Sequence, residues 1–165
     1  MAIGSVLTNT FKEELLGGYH SFNASGDTPA GSAFKIALYS ATTANIGTTT
    51  TQWVVASTPS ADPTNTLEVT TTGSGYTSGG NALTNTGVAK STVTSYTDFS
   101  DTSWTSASFT ARGCLIYNSS TISGLTTNAS VCTIDFGGDK TVSSGTFTIQ
   151  FPTNDSSDAI IRITS

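Results

Sequence analysis

The chain has 165 residues, of which 36% are hydrophobic and only 10% are charged, and its net charge is -5 at pH 7. This length and hydrophobic content suffice for one domain with its own core, which excludes extended disorder. The basic residues form no cluster and no apolar run reaches the ~18 residues of a membrane helix, so neither a nucleic-acid surface nor a membrane span is expected.

The composition favours β-structure. Roughly a third of the residues are Ser or Thr, which prefer strands and turns to helices. Residues 1–6 lack the charged and apolar parts of a signal peptide, so we expect synthesis in the cytoplasm. We predict a single domain over residues 1–165.

One short helix is predicted at the N-terminus, over residues 5–17. Thr10 and Glu13 have the spacing of a capping box, and Gly17-Gly18 ends the pattern. The apolar residues follow the i, i+4, i+8 spacing of one helix face: Leu7, Phe11 and Leu15, with Leu16 beside them. This segment either packs on a sheet or reaches a neighbouring subunit as an arm, and both alternatives stay open.

The remainder of the chain is predicted to form strands. In chain order these are 34–39, 66–70, 82–83, 88–96, 107–117, 131–136, 146–151 and 159–163. The dense run Cys114-Leu115-Ile116-Tyr117 marks a central strand, and 131–136 is its expected partner, ending at Gly137-Gly138-Asp139. About eight strands without interleaved helices predict an all-β fold, either a β-sandwich or a jelly-roll-like barrel.

Two connecting segments are distinctive. Residues 41–65 are rich in Thr and contain Pro59 and Pro63, which predicts a long loop with one short edge strand at Trp53-Val54-Val55. Residues 73–80 place four glycines around Tyr76, which predicts a bend with positive φ angles and the ring packed over it.

Cys114 and Cys132 occupy similar places in two apolar segments. The favoured interpretation is a pair of buried thiols that act as small hydrophobic side chains. The alternative is a disulfide formed after release to an oxidising exterior. Metal binding is not expected, because the chain has one histidine and no closely spaced Cys or His ligands.

Few residues suggest catalysis. His20 is the only histidine, and a structural role is favoured for it, although counting alone does not exclude a Ser-His-Asp arrangement. The pairs Asp98/Asp101 and Asp155/Asp158 are interpreted as turns in which the carboxylate accepts hydrogen bonds from its own backbone. We therefore expect no enzyme activity and no cofactor. Exposed aromatic rings offer an alternative function, a carbohydrate-binding platform built from Trp53, Tyr76, Tyr96 and Trp104.

Several segments, in order, resemble a family of small structural proteins encoded by tailed bacteriophages. The similar segments are FKEELL at 11–16, GYHSF at 18–22, FKIALYS at 34–40, GSGYTSGG at 73–80, CLIYN at 114–118, DFGG at 135–138 and FTIQFP at 147–152, together with Leu83, Phe99 and Trp104. The resemblance covers nearly the whole chain, and the segment at 73–80 is its most distinctive part. Residues 53–65 depart from the shorter loop that is usual in the family.

The resemblance implies a non-enzymatic component of the virion. The leading hypothesis is a capsid decoration, or cement, protein that binds the major capsid protein or other virion proteins. We expect it to act as a homo-oligomer, for example a trimer. The expected contacts with neighbours are Phe11, Leu15, Leu16, Trp53, Val54 and Val55. A neck, tail or fibre-associated subunit is the alternative within the virion.

Overall fold

The computed structural model describes residues 3–40, 46–54 and 67–165, which contain eight β-strands and one α-helix. The elements are β1 (Val6–Leu7), α1 (Asn9–Leu16), β2 (Phe34–Tyr39), β3 (Asn81–Leu83), β4 (Asn85–Lys90), β5 (Thr94–Phe99), β6 (Thr102–Asn118), β7 (Ala129–Ile149) and β8 (Ile161–Thr164). They form two antiparallel sheets, one of order β1-β7-β6-β2-β3 and one of order β4-β5-β8. The predicted all-β, sandwich-like fold with a short N-terminal helix is confirmed.

The strands β6 and β7 pair along their lengths as a ribbon of 17 and 21 residues. The sequence predicts that the strand at 131–136 ends at Gly137-Gly138-Asp139 and that 146–151 forms a separate strand. Both expectations are wrong, because β7 is continuous to Ile149. Gly137 has φ +71°, and the β6–β7 register shifts in this region. A glycine in this conformation suits a β-bulge, so it bends the strand instead of ending it.

Strand β2 and the second half of β6 are buried on both faces. They pair from Phe34↔Asn118 to Tyr39↔Gly113, and nearly every residue in both segments is buried. Apolar residues on both faces explain why the sequence shows continuous apolar runs here instead of an alternating pattern.

Each face of the five-stranded sheet has its own core cluster. One face packs against α1 and the three-stranded sheet, and this cluster includes Phe11, Phe34, Phe99 and Ile161. The other face is covered by residues near the N-terminus and by 46–54, with Trp53 stacked on Tyr117 at 5.3 Å between ring centroids. The sheet is therefore the middle layer of the fold.

Helix α1 begins later than expected. The N-cap is Thr8, whose Oγ1 accepts a hydrogen bond from the backbone N–H of Phe11 (3.3 Å), so the capping box predicted at Thr10 is wrong. Residues Val6 and Leu7 pair with β7, which holds them extended and moves the helix start to Asn9. The predicted stop is confirmed, with Gly17 as C-cap and Gly18 at φ +76°.

The glycine-rich bend at 73–80 is held by Glu68. Its carboxylate accepts hydrogen bonds from the Tyr76 hydroxyl (2.8 Å), the Ser78 hydroxyl (3.2 Å) and the Gly79 N–H (2.6 Å). Burial raises the pKa of Tyr76, so its hydroxyl remains protonated and donates to Glu68. The positive φ angles and the buried ring agree with the prediction. In place of the strand predicted at 66–70, residues 67–70 contribute one bridge, Tyr39↔Glu68.

The predicted long loop is described only at 46–54, because 41–45 and 55–66 lie outside the described residues. Within 46–54 no strand forms, and a single bridge links Gln52 to Ala129. Of the segment predicted as an edge strand, the described residues Trp53 and Val54 form no strand, and the Trp53 side chain packs over the sheet.

Candidate interaction surface

Four large hydrophobic side chains are strongly exposed in the described ranges: Leu16 (92%), Val88 (58%), Val93 (62%) and Ile163 (58%). We call these four residues the apolar patch. Val88 and Ile163 line a groove of about 260 Å³, Leu16 follows the lining residue Leu15, and Val93 lies in the turn between β4 and β5. Of the four, Val88 and Ile163 line this groove, and exposed apolar side chains beside a groove are candidates for a protein–protein contact.

The register of the three-stranded sheet explains the position of the patch. Val88 pairs with Thr97, and Thr97 pairs with Ile161, so these residues share one face of the sheet. Ile163 lies two residues beyond Ile161 and points to the same face. Ile161 is 3% exposed whereas Ile163 is 58% exposed. The core therefore covers this face of the three-stranded sheet at Ile161 but not at Ile163, where the apolar face is exposed to solvent.

His20 lines the same groove and is fully engaged in hydrogen bonds. The Asn118 Oδ1 accepts from the Ser120 N–H (3.0 Å), which orients the amide so that its Nδ2 donates to His20 Nδ1 (3.1 Å). The proton of the neutral ring is therefore on Nε2, which donates to Glu14 Oε2 (3.0 Å). The predicted structural role of His20 is supported, because the ring ties α1 to β6.

The surroundings of His20 disfavour its protonated form. The ring packs edge-on against Phe11 at 5.0 Å and is stacked with Phe22 and Phe34. Burial lowers the pKa of His20, and the nearby Glu14 carboxylate only partly offsets this. Protonation of Nδ1 would also break the hydrogen bond from Asn118. The ring is therefore neutral near pH 7.

We expect acid to destabilise the protein through His20. Near and below its ordinary pKa of 6.5, the histidine takes up a proton more readily in the unfolded chain than in the folded one, because burial lowers its pKa in the folded protein. The free energy of unfolding should therefore fall from pH 6.5 to about 5, with a slope of at most about 1.4 kcal/mol per pH unit. Urea denaturation at a series of pH values measures this slope.

The matched variant is His20→Gln, which should be less stable but should lack this part of the pH dependence. Asp98 acts in the opposite sense at lower pH, because burial raises its pKa, so the comparison stops near pH 5. Equal slopes in the two proteins would contradict the assignment of a neutral, buried His20.

The expected contact residues fall into three groups. Leu15 is half-buried, Leu16 is exposed and Val54 is half-buried, so these three remain candidates. Phe11 (0% exposed) and Trp53 (8% exposed) are core residues, so the expectation that they touch a neighbour directly is corrected. Val55 lies outside the described residues. The amphipathic stripe of α1 indicated where apolar residues would lie, but not which of them the sheet would cover.

The aromatic residues considered for sugar binding are also mostly in the core. Trp53, Tyr76 and Trp104 are 8%, 3% and 4% exposed, and Tyr96 is half-buried. Trp104 packs against Phe109 and Phe147. A sugar platform needs open ring faces, which these three side chains do not provide in this fold.

The acidic pairs behave differently from each other. Asp155 Oδ1 accepts from the N–H groups of Ser157 (2.7 Å) and Asp158 (2.8 Å), as predicted for a turn. Asp98 is buried, and its Oδ2 accepts from the N–H of Ile160 (3.1 Å), joining β5 to the segment before β8. This long-range role was missed because the spacing of Asp98 and Asp101 looks like a local turn.

The cysteines lie on the neighbouring strands predicted for them. Cys114 pairs with Ile134 and Cys132 pairs with Ile116, so the two thiols are diagonal neighbours on one face. Diagonal Cα atoms are about 7–8 Å apart, beyond the usual range for a disulfide. Both thiols are free and buried, and burial raises the pKa of Cys132 to about 12. The disulfide alternative is not formed in this structure.

The folded protein is therefore expected to be inert to thiol reagents. With Ellman's reagent, we expect no reaction of Cys114 or Cys132 on a timescale of minutes under native conditions, and two thiols per chain in guanidinium. Burial and the raised pKa both remove the reactive thiolate. Rapid native labelling, or no thiol after unfolding, would contradict the assignment of two buried thiols.

In the described ranges no helix is long and apolar enough to cross a membrane. Nor does any group of three or more His, Cys, Asp or Glu side chains in those ranges have an arrangement that could hold a metal ion. No family model matches the chain, and neither a curated protein nor a solved structure matches it.

Proposed function

We propose that this protein is a non-enzymatic structural component of a tailed-bacteriophage virion, and specifically a capsid decoration protein that binds and reinforces the major capsid shell. Two lines of reasoning support the proposal: the ordered resemblance along the chain, and an exposed apolar surface on a β-sandwich framework. The chain would be made in the host cytoplasm and incorporated into the particle.

The apolar patch is the observation that carries the proposal. Leu16, Val88, Val93 and Ile163 remain exposed although the same fold buries the aromatic residues around His20. Full burial of one aliphatic side chain is worth about 1.5–3 kcal/mol before the cost of association. An association free energy of this size is modest for one copy, but the same contact repeated over a symmetric shell would stabilise the shell.

The low charge of the chain is consistent with this role. Only 10% of the residues are charged, and hydroxyl side chains such as Thr141, Ser143, Thr146 and Thr148 are exposed along the β6–β7 ribbon. Such a surface avoids large fields of one sign, which would attract nonspecific partners. Binding would then depend on shape and on the apolar patch.

The test is the number of copies per particle. Quantitative mass spectrometry of purified virions, with the major capsid protein as internal standard, should give hundreds of copies per particle. A handful of copies would overturn the decoration role in favour of a neck, tail or fibre-associated subunit. Absence from purified particles would overturn the virion proposal as a whole.

A further inference from the structure

Strands β7 and β8 lie at the edges of two different sheets in the described part of the chain. The five-stranded sheet ends at β7, except where the short strand β1 pairs with Cys132 and Thr133, and the three-stranded sheet ends at β8. Beyond Thr133 no described strand pairs with the outer edge of β7. The unpaired N–H and C=O groups of such an edge are a template for another strand.

A cleft of about 830 Å³ opens between these two strands. Its lining comes from β7, which contributes Phe147, Thr148 and Ile149, and from β8 with the residues just before it. Its walls include hydrophobic residues that pack against the main core but are only partly covered: Leu7, Ile134, Phe136, Ile149, Phe151 and Ile160. The core is therefore open to solvent beside the unpaired backbone of β7.

We infer that this cleft binds an extended, acidic segment of another protein, which adds to the outer edge of β7 as a strand. In this mode of recognition, main-chain hydrogen bonds supply the affinity, and contacts of alternate side chains supply the specificity. Alternate side chains of the added strand would point to one face, towards the partly covered core residues. Binding of such a segment is separate from the capsid contact proposed above, which uses the apolar patch.

The charges of the cleft favour an acidic segment. Four charged side chains line it: Asp135, Lys140, Asp158 and Arg162. Asp135 is already paired with Arg112 (3.1 Å). Lys140 and Arg162 are exposed, and neither forms an ion pair with a described residue. The unpaired charges of the cleft are therefore two cations and the single carboxylate of Asp158, although the chain as a whole has a net charge of -5.

The negative net charge of the protein does not prevent this binding. At physiological ionic strength the Debye length is about 8 Å, so exposed charges farther away than this are largely screened. A segment in the cleft therefore responds mainly to Lys140 and Arg162. These cations attract carboxylates on the outer face of the added strand and repel a basic segment.

The added strand would pair with β7 in short ladders. Ser144 has φ 49° and interrupts the edge between Lys140 and Ile149. An extended segment of ten residues is about 33 Å long and matches the stretch 140–149 in length. A single added strand buries a small surface, and complexes with small interfaces are weak, so we expect a Kd of about 10–100 µM.

Fluorescence anisotropy with labelled ten-residue peptides tests this inference. The first peptide alternates valine and glutamate, and the wild-type protein should bind it with a Kd of about 10–100 µM. Three matched peptides carry lysine in place of glutamate, threonine in place of glutamate, or a proline at the centre, which removes a ladder hydrogen bond. Each of these should bind at least tenfold more weakly.

Two double variants show whether the cations of the cleft are responsible. Lys140→Glu with Arg162→Glu should weaken binding of the valine–glutamate peptide at least tenfold. The matched control is Lys12→Glu with Lys90→Glu, which changes the net charge equally at two exposed residues that do not line the cleft. This control should bind the peptide as the wild-type protein does. The comparison of peptides uses the wild-type protein alone and remains decisive if a variant is unstable.

Hydrogen exchange locates the contact, because the bound peptide should slow the exchange of backbone amides within 140–149. Unchanged exchange there, no binding of the valine–glutamate peptide at about 1 mM, or equal binding of the glutamate and lysine peptides would overturn the inference. Equal weakening by the two double variants would do the same. Lys140 would then be a charge that keeps other strands away from an exposed edge.

Discussion

Replacement of Gly80 with alanine is expected to prevent the chain from reaching its native fold. Gly80 has φ +69°, and an added Cβ would overlap the carbonyl oxygen of Ile36 in β2. Ile36 is fully buried and is paired on both sides, so its backbone cannot move away. The left-handed conformation alone costs about 1–2 kcal/mol for a residue with a Cβ, and the overlap adds to it.

The matched control is Gly73→Ala in the same glycine-rich bend. Gly73 has φ +65°, but an added Cβ meets nothing within 4 Å. This variant should therefore lose only about 1–2 kcal/mol and should fold normally. Circular dichroism and urea denaturation separate the two. If the variants were equally stable, the close approach of the bend to β2 would be wrong.

The second large effect is expected for Phe34→Ala, which should lower the free energy of unfolding by about 3–5 kcal/mol. Phe34 is 1% exposed, is stacked on Phe22 at 4.6 Å, and meets Phe99 edge-on at 5.4 Å. Its removal leaves a cavity at the junction of α1 and the two sheets. Most domains have only ~5–15 kcal/mol of stability, so the variant should be close to unfolding.

Val93→Ala is the control for this substitution. Val93 is 62% exposed, so its truncation should change the stability by no more than about 0.5 kcal/mol. Chemical denaturation of both variants provides the measurement. A loss below about 1.5 kcal/mol for Phe34→Ala would mean that the aromatic cluster is not the rigid centre of the fold.

Strands are predicted most accurately from the sequence where burial determines the order of the apolar residues. Strand β2 is observed at the predicted residues 34–39, because both of its faces are covered and the apolar run has clear ends. The pairing of the two cysteine-containing segments follows from the same property. Long apolar runs in a chain this poor in charge are buried strands.

Local sequence patterns predict the wrong element where pairing with a strand distant in the chain determines the structure. The glycines after Phe136 look like a strand end, but pairing with β6 carries β7 through them. Thr10 looks like a helix cap, but β1 fixes the preceding residues and makes Thr8 the cap. In both places the residue types are suited to either structure, and only the neighbouring strand distinguishes them.

The candidate site is predictable only in part. The helix pattern indicates Leu15 and Leu16, whereas Val88 and Ile163 join them only through the pairing order β4-β5-β8. The partner Asn118 lies 98 residues from His20. No local pattern links side chains so far apart in the chain.

The proposed capsid contact depends on the apolar patch, so a charged substitution within the patch is the decisive change. Leu16→Asp places a charge on the most exposed hydrophobic side chain without altering the core. Ser123→Asp is the matched control, an exposed residue in the turn between β6 and β7. The loss of one buried aliphatic contact corresponds to about a 10- to 150-fold weaker affinity.

The most direct measurement is the binding of purified protein to phage heads that lack it. If the protein decorates the capsid through the apolar patch, hundreds of wild-type copies should bind saturably to each head. Ser123→Asp should then bind with the wild-type affinity, and Leu16→Asp at least tenfold more weakly. Heads that bind no wild-type protein, or that bind all three proteins equally, would contradict the proposed capsid contact.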